Sequence, residues 1–159
     1  MNNFLPQNIY LSDSTIKENI AFGIDDNDIK FSNVQYAAKL AQIDNMINKW
    51  PEGYQTSVGE RGVRLSVGQK QRISIARALI KDPSILIFDE ATSSVDNKTE
   101  HLIQKALNEI SKDRTTLVIA HRLSTIRNAD QILVIDDGEL IEYGNHEALL
   151  SKNGIYKYL

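Results

Sequence analysis

The chain has 159 residues, which is enough for one compact domain with a hydrophobic core. Hydrophobic residues make up 42% of it and charged residues 25%, and 18 Lys and Arg against 21 Asp and Glu give a formal charge of −3. This composition is ordinary for a soluble globular protein and does not indicate a nucleic-acid partner. The absence of cysteine excludes disulfide bonds and thiolate metal sites.

The sequence predicts neither a membrane-spanning helix nor a signal peptide. No apolar run approaches the roughly 20 residues that a membrane span needs. The first seven residues contain no basic region followed by a long apolar one. We therefore expect any membrane role to come through a partner or through sequence outside these 159 residues.

The first half of the chain is predicted to be mostly helical. Between residues 14 and 48, apolar side chains recur at helical spacing. Residues 51–64 are punctuated by glycine and predict a loop. Ser66 then has the features of an N-cap for a helix that runs to about Lys81.

The second half predicts an α/β pattern. Three runs are apolar at nearly every position, namely 84–88, 115–120 and 131–135. Such runs suit strands that are buried on both faces of a parallel sheet. A helix over about 98–111 separates the first two runs, as a parallel crossover requires. Asp137-Gly138 predicts a hairpin turn into a strand at 139–143, and 145–151 predicts a short helix.

Residues 85–90 form an apolar strand that ends in two acids, Asp89 and Glu90. The pattern fits a Walker B motif, in which the Asp holds Mg²⁺ through water and the following Glu polarises the attacking water. It also fits a strand that simply ends in solvated acids. The string by itself leaves both interpretations open.

A second string, residues 65–72, opens the helix that begins after Ser66. The turn would present a hydroxyl group and backbone N–H groups at the positive end of a helix dipole, which suits a terminal phosphate. A capped surface helix would explain Ser66 but not the rest of the string.

Together these strings resemble the motifs of the ATPase domain of ABC transporters. Residues 65–69 resemble the signature motif and residues 85–90 the Walker B motif. Further strings follow the order of that family, namely a Q-loop at 4–7, an exporter-type loop at 57–62, a D-loop at 93–96 and a switch histidine at His121. The resemblance covers nearly the whole chain, from the Q-loop onward.

The resemblance implies an α/β fold that combines part of the RecA-like parallel sheet of P-loop NTPases with the ABC helical subdomain. Residues of about 8–80 would form the helical subdomain, and about 81–159 together with 1–7 would form the RecA-like part. The implied cofactors are ATP and Mg²⁺. Asp89 and Gln7 would hold the metal.

The resemblance also implies the site residues. The catalytic set would be Gln7, Glu90 and His121, with Glu90 as general base and His121 on the γ-phosphate. A second set would face the nucleotide of the opposite subunit, and it consists of Ser66, Val67, Gly68, Gln69 and Asp96. Val67 stands where the family usually has glycine, and because valine is bulkier and stiffer we expect a weaker or asymmetric site.

The leading interpretation is part of the ATP-hydrolysing subunit of an ABC exporter at the cytoplasmic face of the plasma (inner) membrane. Its partners would be an ABC transmembrane domain and a second, identical or different, nucleotide-binding domain, with no nucleic acid. Residues 58–62 favour an exporter, and residues 7–16 are similar to those of glycan and lipid-linked exporters.

Two alternatives remain open. The chain could be a non-catalytic interaction module that supplies a signature face in trans to an intact ABC domain. A soluble ABC ATPase of DNA repair or translation would instead carry long insertions between Gln7 and Leu65. The roughly 58 residues found there fit a transporter.

The chain contains no Gly-x-x-x-x-Gly-Lys-Ser/Thr string, the loop that cradles phosphates in P-loop enzymes. Without that loop it has no N–H cradle, no phosphate lysine and one Mg²⁺ ligand fewer. We also expect an uncovered sheet edge and uncovered apolar faces, which favour association.

We predict that the purified 159-residue chain neither binds ATP tightly nor hydrolyses it, because the phosphate cradle is not in it. A phosphate-release assay should show no turnover above background. Orthovanadate-sensitive ATP turnover by the purified chain would contradict this expectation.

Overall fold

The computed structural model describes residues 2–5, 9–89, 95–120 and 122–158, and for 2–5 the backbone alone. The chain folds as two compact units, residues 1–119 and 120–159. The elements of the first unit are β1 (Asn2–Leu5), α1 (Ile16–Ile20), α2 (Phe31–Leu40), α3 (Asp44–Ile47), α4 (Val67–Leu79), β2 (Ile85–Asp89), α5 (Asn97–Ile110) and β3 (Thr115–Ile119). The elements of the second unit are α6 (Leu123–Ile126), β4 (Ile132–Asp136), β5 (Glu139–Gly144) and α7 (His146–Ser151).

The first unit contains a parallel sheet in the order β1-β2-β3. Leu5 pairs with Phe88, and Asp89 pairs with Ile119, so the carboxyl ends of the three strands are level. The parallel sheet predicted from the first two apolar runs is confirmed. The helix α5 connects β2 to β3, as the crossover rule requires.

The third apolar run does not join this sheet in the described structure. It forms β4, which pairs antiparallel with β5. Asp137 and Gly138 form the connecting turn with φ of 45° and 80°, so the predicted hairpin is confirmed. The prediction of a doubly buried parallel strand is wrong here, because Leu133 and Ile135 are exposed and a two-residue turn joins antiparallel neighbours.

The two strands that follow α4 differ in burial. Leu86 and Phe88 of β2 are fully buried, whereas Leu117 and Ile119 of β3 are exposed. The expectation of burial on both faces is therefore wrong for β3, and it is also wrong for β2, where Ile85 is exposed and Ile87 is half-buried. The less buried side chains of the two strands lie on the same face of the sheet, since Ile87 pairs with Leu117.

A single core joins the helices of the first unit to its sheet. It contains apolar residues of α1, α2, α4, α5 and β2. The stretch of 14–48, predicted to be helical, forms three α-helices and, between α1 and α2, a short 3-10 helix (Asp26–Asp28). Gln42 adopts a φ of 57° in the turn before α3. None of the described helices is long and apolar enough to cross a membrane.

Asn19 connects α1 to α4 and is completely buried. Its Nδ2 donates to the carbonyl of Ser12 at 3.0 Å, and its Oδ1 accepts from the backbone N–H of Ser12 at 3.0 Å and from a guanidinium N–H of Arg77 at 2.9 Å. Arg77 also donates to the backbone oxygens of Asn19 at 2.7 Å and Tyr10 at 2.8 Å. The segment 10–19 is thereby fastened to α4.

We predict that Asn19→Ala destabilises the chain by about 2–4 kcal/mol, because it leaves several buried polar groups without partners. Asn33→Ala, at an exposed position in α2, is the matched control and should change stability by less than about 0.5 kcal/mol. The free energy of unfolding is measured by urea denaturation. Equal transition midpoints for the two variants would rule out this role of Asn19.

Candidate functional site

The turn that opens α4 is a capping box. Ser66 is the N-cap, and its Oγ accepts from the backbone N–H of Gln69 at 3.3 Å. The side-chain Oε1 of Gln69 in turn accepts from the backbone N–H of Ser66 at 2.9 Å. The predicted N-cap is confirmed. We call residues 66–69 the signature turn.

The signature turn is supported by residues 42–46, which comprise the turn before α3 and the first residues of that helix. The side-chain Nε2 of Gln69 lies 3.2 Å from the sulfur of Met46. Arg72, which is buried, donates to the carbonyl of Gly68 at 3.2 Å and to that of Gln42 at 2.8 Å. Burial lowers the pKa of Arg72, and the nearby carboxylate of Asp96 opposes that shift.

Val67 and Gly68 have different surroundings. Val67 is the first helical residue of α4 and is 54% exposed, so the fold of the chain does not require glycine there. Gly68 is buried, and a Cβ atom on it would lie 2.1 Å from Cγ2 of Thr99. The steric requirement for glycine in this turn is therefore at Gly68.

Asp96 is the N-cap of α5. Its Oδ1 accepts from the backbone N–H of Thr99 at 3.0 Å, and its Oδ2 accepts from the hydroxyl of Thr99 at 2.8 Å. These two hydrogen bonds hold the pKa of Asp96 below its usual range. The exposed Asp96 carboxylate is thus oriented by the first turn of α5, whose Thr99 lies against Gly68.

Of the other predicted site residues, Asp89 alone lies within the described part of the chain. Asp89 is the last residue of β2 and is half-buried. Gln7, Glu90 and His121 lie outside the described residues. In the sequence they follow the ends of β1, β2 and β3 by two, one and two residues. In open α/β sheets, ligand sites lie at the carboxyl ends of the strands.

A metal cluster made of protein side chains alone is not found in the described structure. Within residues 9–89, 95–120 and 122–158, no three His, Asp or Glu side chains are grouped so that they could hold an ion. Mg²⁺ commonly takes one or two carboxylates and completes its shell with water and phosphate oxygens. Asp89 fits that kind of site.

No motif in the sequence predicts a role for Thr99, Arg72, Arg77 or Asn19. The spacing from Asp96 to Thr99 is that of an N-cap and its N3 residue. This spacing is the sequence signal for the hydrogen bond between Asp96 and the backbone of Thr99. The contact of Thr99 with Gly68 joins two helices that are distant in sequence, and no local pattern encodes it.

Comparison with known proteins decides the family. A family profile described as ABC transporter matches residues 3–93, more than half of the chain. The chain belongs to the ABC transporter family. The resemblance of its motifs to that family is confirmed.

Two curated relatives within this family show how much of a longer protein is matched. The ATP-dependent lipid A-core flippase of Vibrio parahaemolyticus is 53% identical over 153 residues, which cover 96% of this chain and 26% of the relative. YgaD of Bacillus subtilis, named as a multidrug export ATP-binding/permease protein, is 52% identical with the same coverage. The chain therefore spans about a quarter of the length of these relatives.

The predicted fold class is confirmed by a solved ABC transporter structure. A structure described as a bacterial Atm1-family ABC exporter with ATP bound matches 99% of this chain and 27% of its own chain. The TM-score is 0.89 and the sequence identity is 47%. The boundary predicted near residue 80 between the helical subdomain and the RecA-like part stays a prediction.

We predict that Gly68→Ala destabilises the chain by about 1–3 kcal/mol, because the new Cβ would overlap Thr99. Helix propensity alone gives the opposite sign, since Ala in place of a helical Gly stabilises by up to about 1 kcal/mol. Urea denaturation of the two proteins measures the difference. A more stable Gly68→Ala variant would show that the close contact between α4 and α5 does not form.

Proposed function

We propose that this chain carries the signature side and the catalytic sheet edge of the ATPase domain of an ABC exporter. The observation that supports this most directly is the packing of the capped signature turn against the first turn of α5. The same turn of α5 orients Asp96. Membership of the ABC transporter family supports the proposal, because the resemblance of these two segments to the signature motif and the D-loop implies that they act at a nucleotide.

The signature turn suits recognition of a terminal phosphate. The first N–H groups of a helix have no acceptor within the helix, and in α4 they belong to Val67 and Gly68. The helix dipole favours an anion at this end. From the family resemblance we propose that Ser66, Val67, Gly68 and Gln69, together with Asp96, face a nucleotide held by an opposite domain.

The carboxyl edge of the sheet would supply the chemistry for a nucleotide bound in cis. Glu90 would act as general base, and His121 would contact the γ-phosphate and orient the water. Asp89 and Gln7 would hold Mg²⁺, which when bound would neutralise negative charge on the phosphates. The level carboxyl ends of β1, β2 and β3, which these residues follow in the sequence, support this grouping.

One relative is named as a flippase and the other as a multidrug export protein, and we propose that this chain energises export. The ATPase part would then lie at the cytoplasmic face of a membrane, bound to a transmembrane domain and to a second nucleotide-binding domain. The similarity of residues 7–16 to lipid-linked exporters favours a lipid or glycan as cargo. The flippase and YgaD differ in their named cargo at nearly equal identity to this chain, so overall identity does not discriminate between cargoes.

The proposal is tested by mixing the chain with a complete ATPase domain from the Vibrio flippase, with and without Mg²⁺-ATP. We expect association that depends on ATP, and faster ATP turnover at the intact loop of the partner domain. Ser66→Arg should weaken association by about tenfold or more, because it removes the capping hydroxyl and fills the phosphate position. Ser32→Arg, at an exposed position in α2, is the matched control.

Two outcomes would count against the proposal. Association without stimulation of turnover would favour the inert interaction module instead. No association with ATP, or equal weakening by the Ser66 and Ser32 variants, would remove the signature turn from the interface.

A further inference from the structure

The side chain of Thr99 lies between the two segments that the proposed function places at a nucleotide. Its Cγ2 methyl fills the space beside Gly68, where an added Cβ would lie 2.1 Å from it. Its hydroxyl donates to Oδ2 of Asp96 at 2.8 Å, and its backbone N–H donates to Oδ1 at 3.0 Å. One branched side chain therefore contacts the signature turn with its methyl group and Asp96 with its hydroxyl group.

We propose that Thr99 is a positioning residue that fixes the signature turn and Asp96 relative to each other, so that both meet the nucleotide of another chain as one surface. The inference rests on the proposed function for the role of that surface. Thr99 itself need not touch the nucleotide. Its action is through Gly68 on one side and through the carboxylate of Asp96 on the other.

A second contact restrains the same turn from another direction. The buried guanidinium of Arg72 donates to the carbonyl of Gly68, and its charge interacts with Asp96. The signature turn is therefore held on its carbonyl side by Arg72 and on its Cα side by Thr99. With both contacts in place, movement of Asp96 relative to Gly68 would have to break packing or hydrogen bonds.

The two contacts of Thr99 can be removed one at a time. Thr99→Ser keeps the hydroxyl and removes the methyl group, whereas Thr99→Val keeps a methyl group and removes the hydroxyl. Thr115 is an exposed threonine at the start of β3, and Thr115→Ser and Thr115→Val are the matched controls.

The packing contact is tested by a double-mutant cycle on the chain alone, without nucleotide. Thr99→Ser introduced into the Gly68→Ala background should recover at least half of the stability that Gly68→Ala loses, because it removes the Cγ2 atom closest to the new Cβ. Thr99→Val in that background should recover none. If the effects of Gly68→Ala and Thr99→Ser on the free energy of unfolding are additive, the two residues are not in contact.

The hydrogen-bonding contact is tested by an NMR titration of the Asp96 carboxyl group. The Thr99 hydroxyl contributes to the lowered pKa of Asp96, so Thr99→Val should raise that pKa toward its ordinary range while Thr99→Ser leaves it low. An unchanged pKa in Thr99→Val would show that the hydroxyl does not orient Asp96.

The effect of the Thr99 variants on function is measured as ATP-dependent association with the flippase ATPase domain. Thr99→Ser and Thr99→Val should each weaken association by about tenfold while the Thr115 controls bind as wild type. Failure of the wild-type chain to associate would count against the proposed function, and the cycle and titration would still decide whether Thr99 links the two segments. Wild-type affinity in both Thr99 variants would overturn the positioning role.

Discussion

The close approach of α4 to α5 at Gly68 determines where the signature turn lies. Helices with ordinary side chains at the contact stay about 8–10 Å apart, and a glycine allows a neighbouring side chain to reach the backbone. The methyl group of Thr99 occupies that space. The position of Thr99 in the first turn of α5 is set by the N-cap Asp96. A local property of α5 thereby fixes a feature of α4 that is about 30 residues away in sequence.

The other end of α4 is fixed in a similar way but by polar contacts. Arg77 and Asn19 are both largely removed from water, so each needs hydrogen-bond partners inside the protein. The two side chains are hydrogen-bonded to each other, and Arg77 is also hydrogen-bonded to the backbone of segment 10–19. The helix α4 therefore links the segment that follows β1 to the signature turn.

Local signals in the sequence predicted the elements that depend on local chemistry. Ser66 and Gln69 have capping-box spacing, and the structure forms that box. Asp137-Gly138 predicted the hairpin for the same kind of reason. The strand β4 was predicted in the wrong sheet because an apolar run indicates burial and does not specify a pairing partner. Thr99 was missed because its methyl contact depends on how two helices pack.

The fixed geometry of the signature turn has a consequence for the proposed function. Hydrogen-bond donors that are already in place stabilise developing charge without reorganising, which is the main source of electrostatic catalysis. In this chain the donors at the start of α4 are held by the Ser66–Gln69 box, by Arg72 and by Thr99. A nucleotide held by another chain would therefore meet a surface that needs little ordering. Under the proposed function, the free energy of association would then depend mainly on whether the terminal phosphate is present, which is the property that an ATP-driven switch requires.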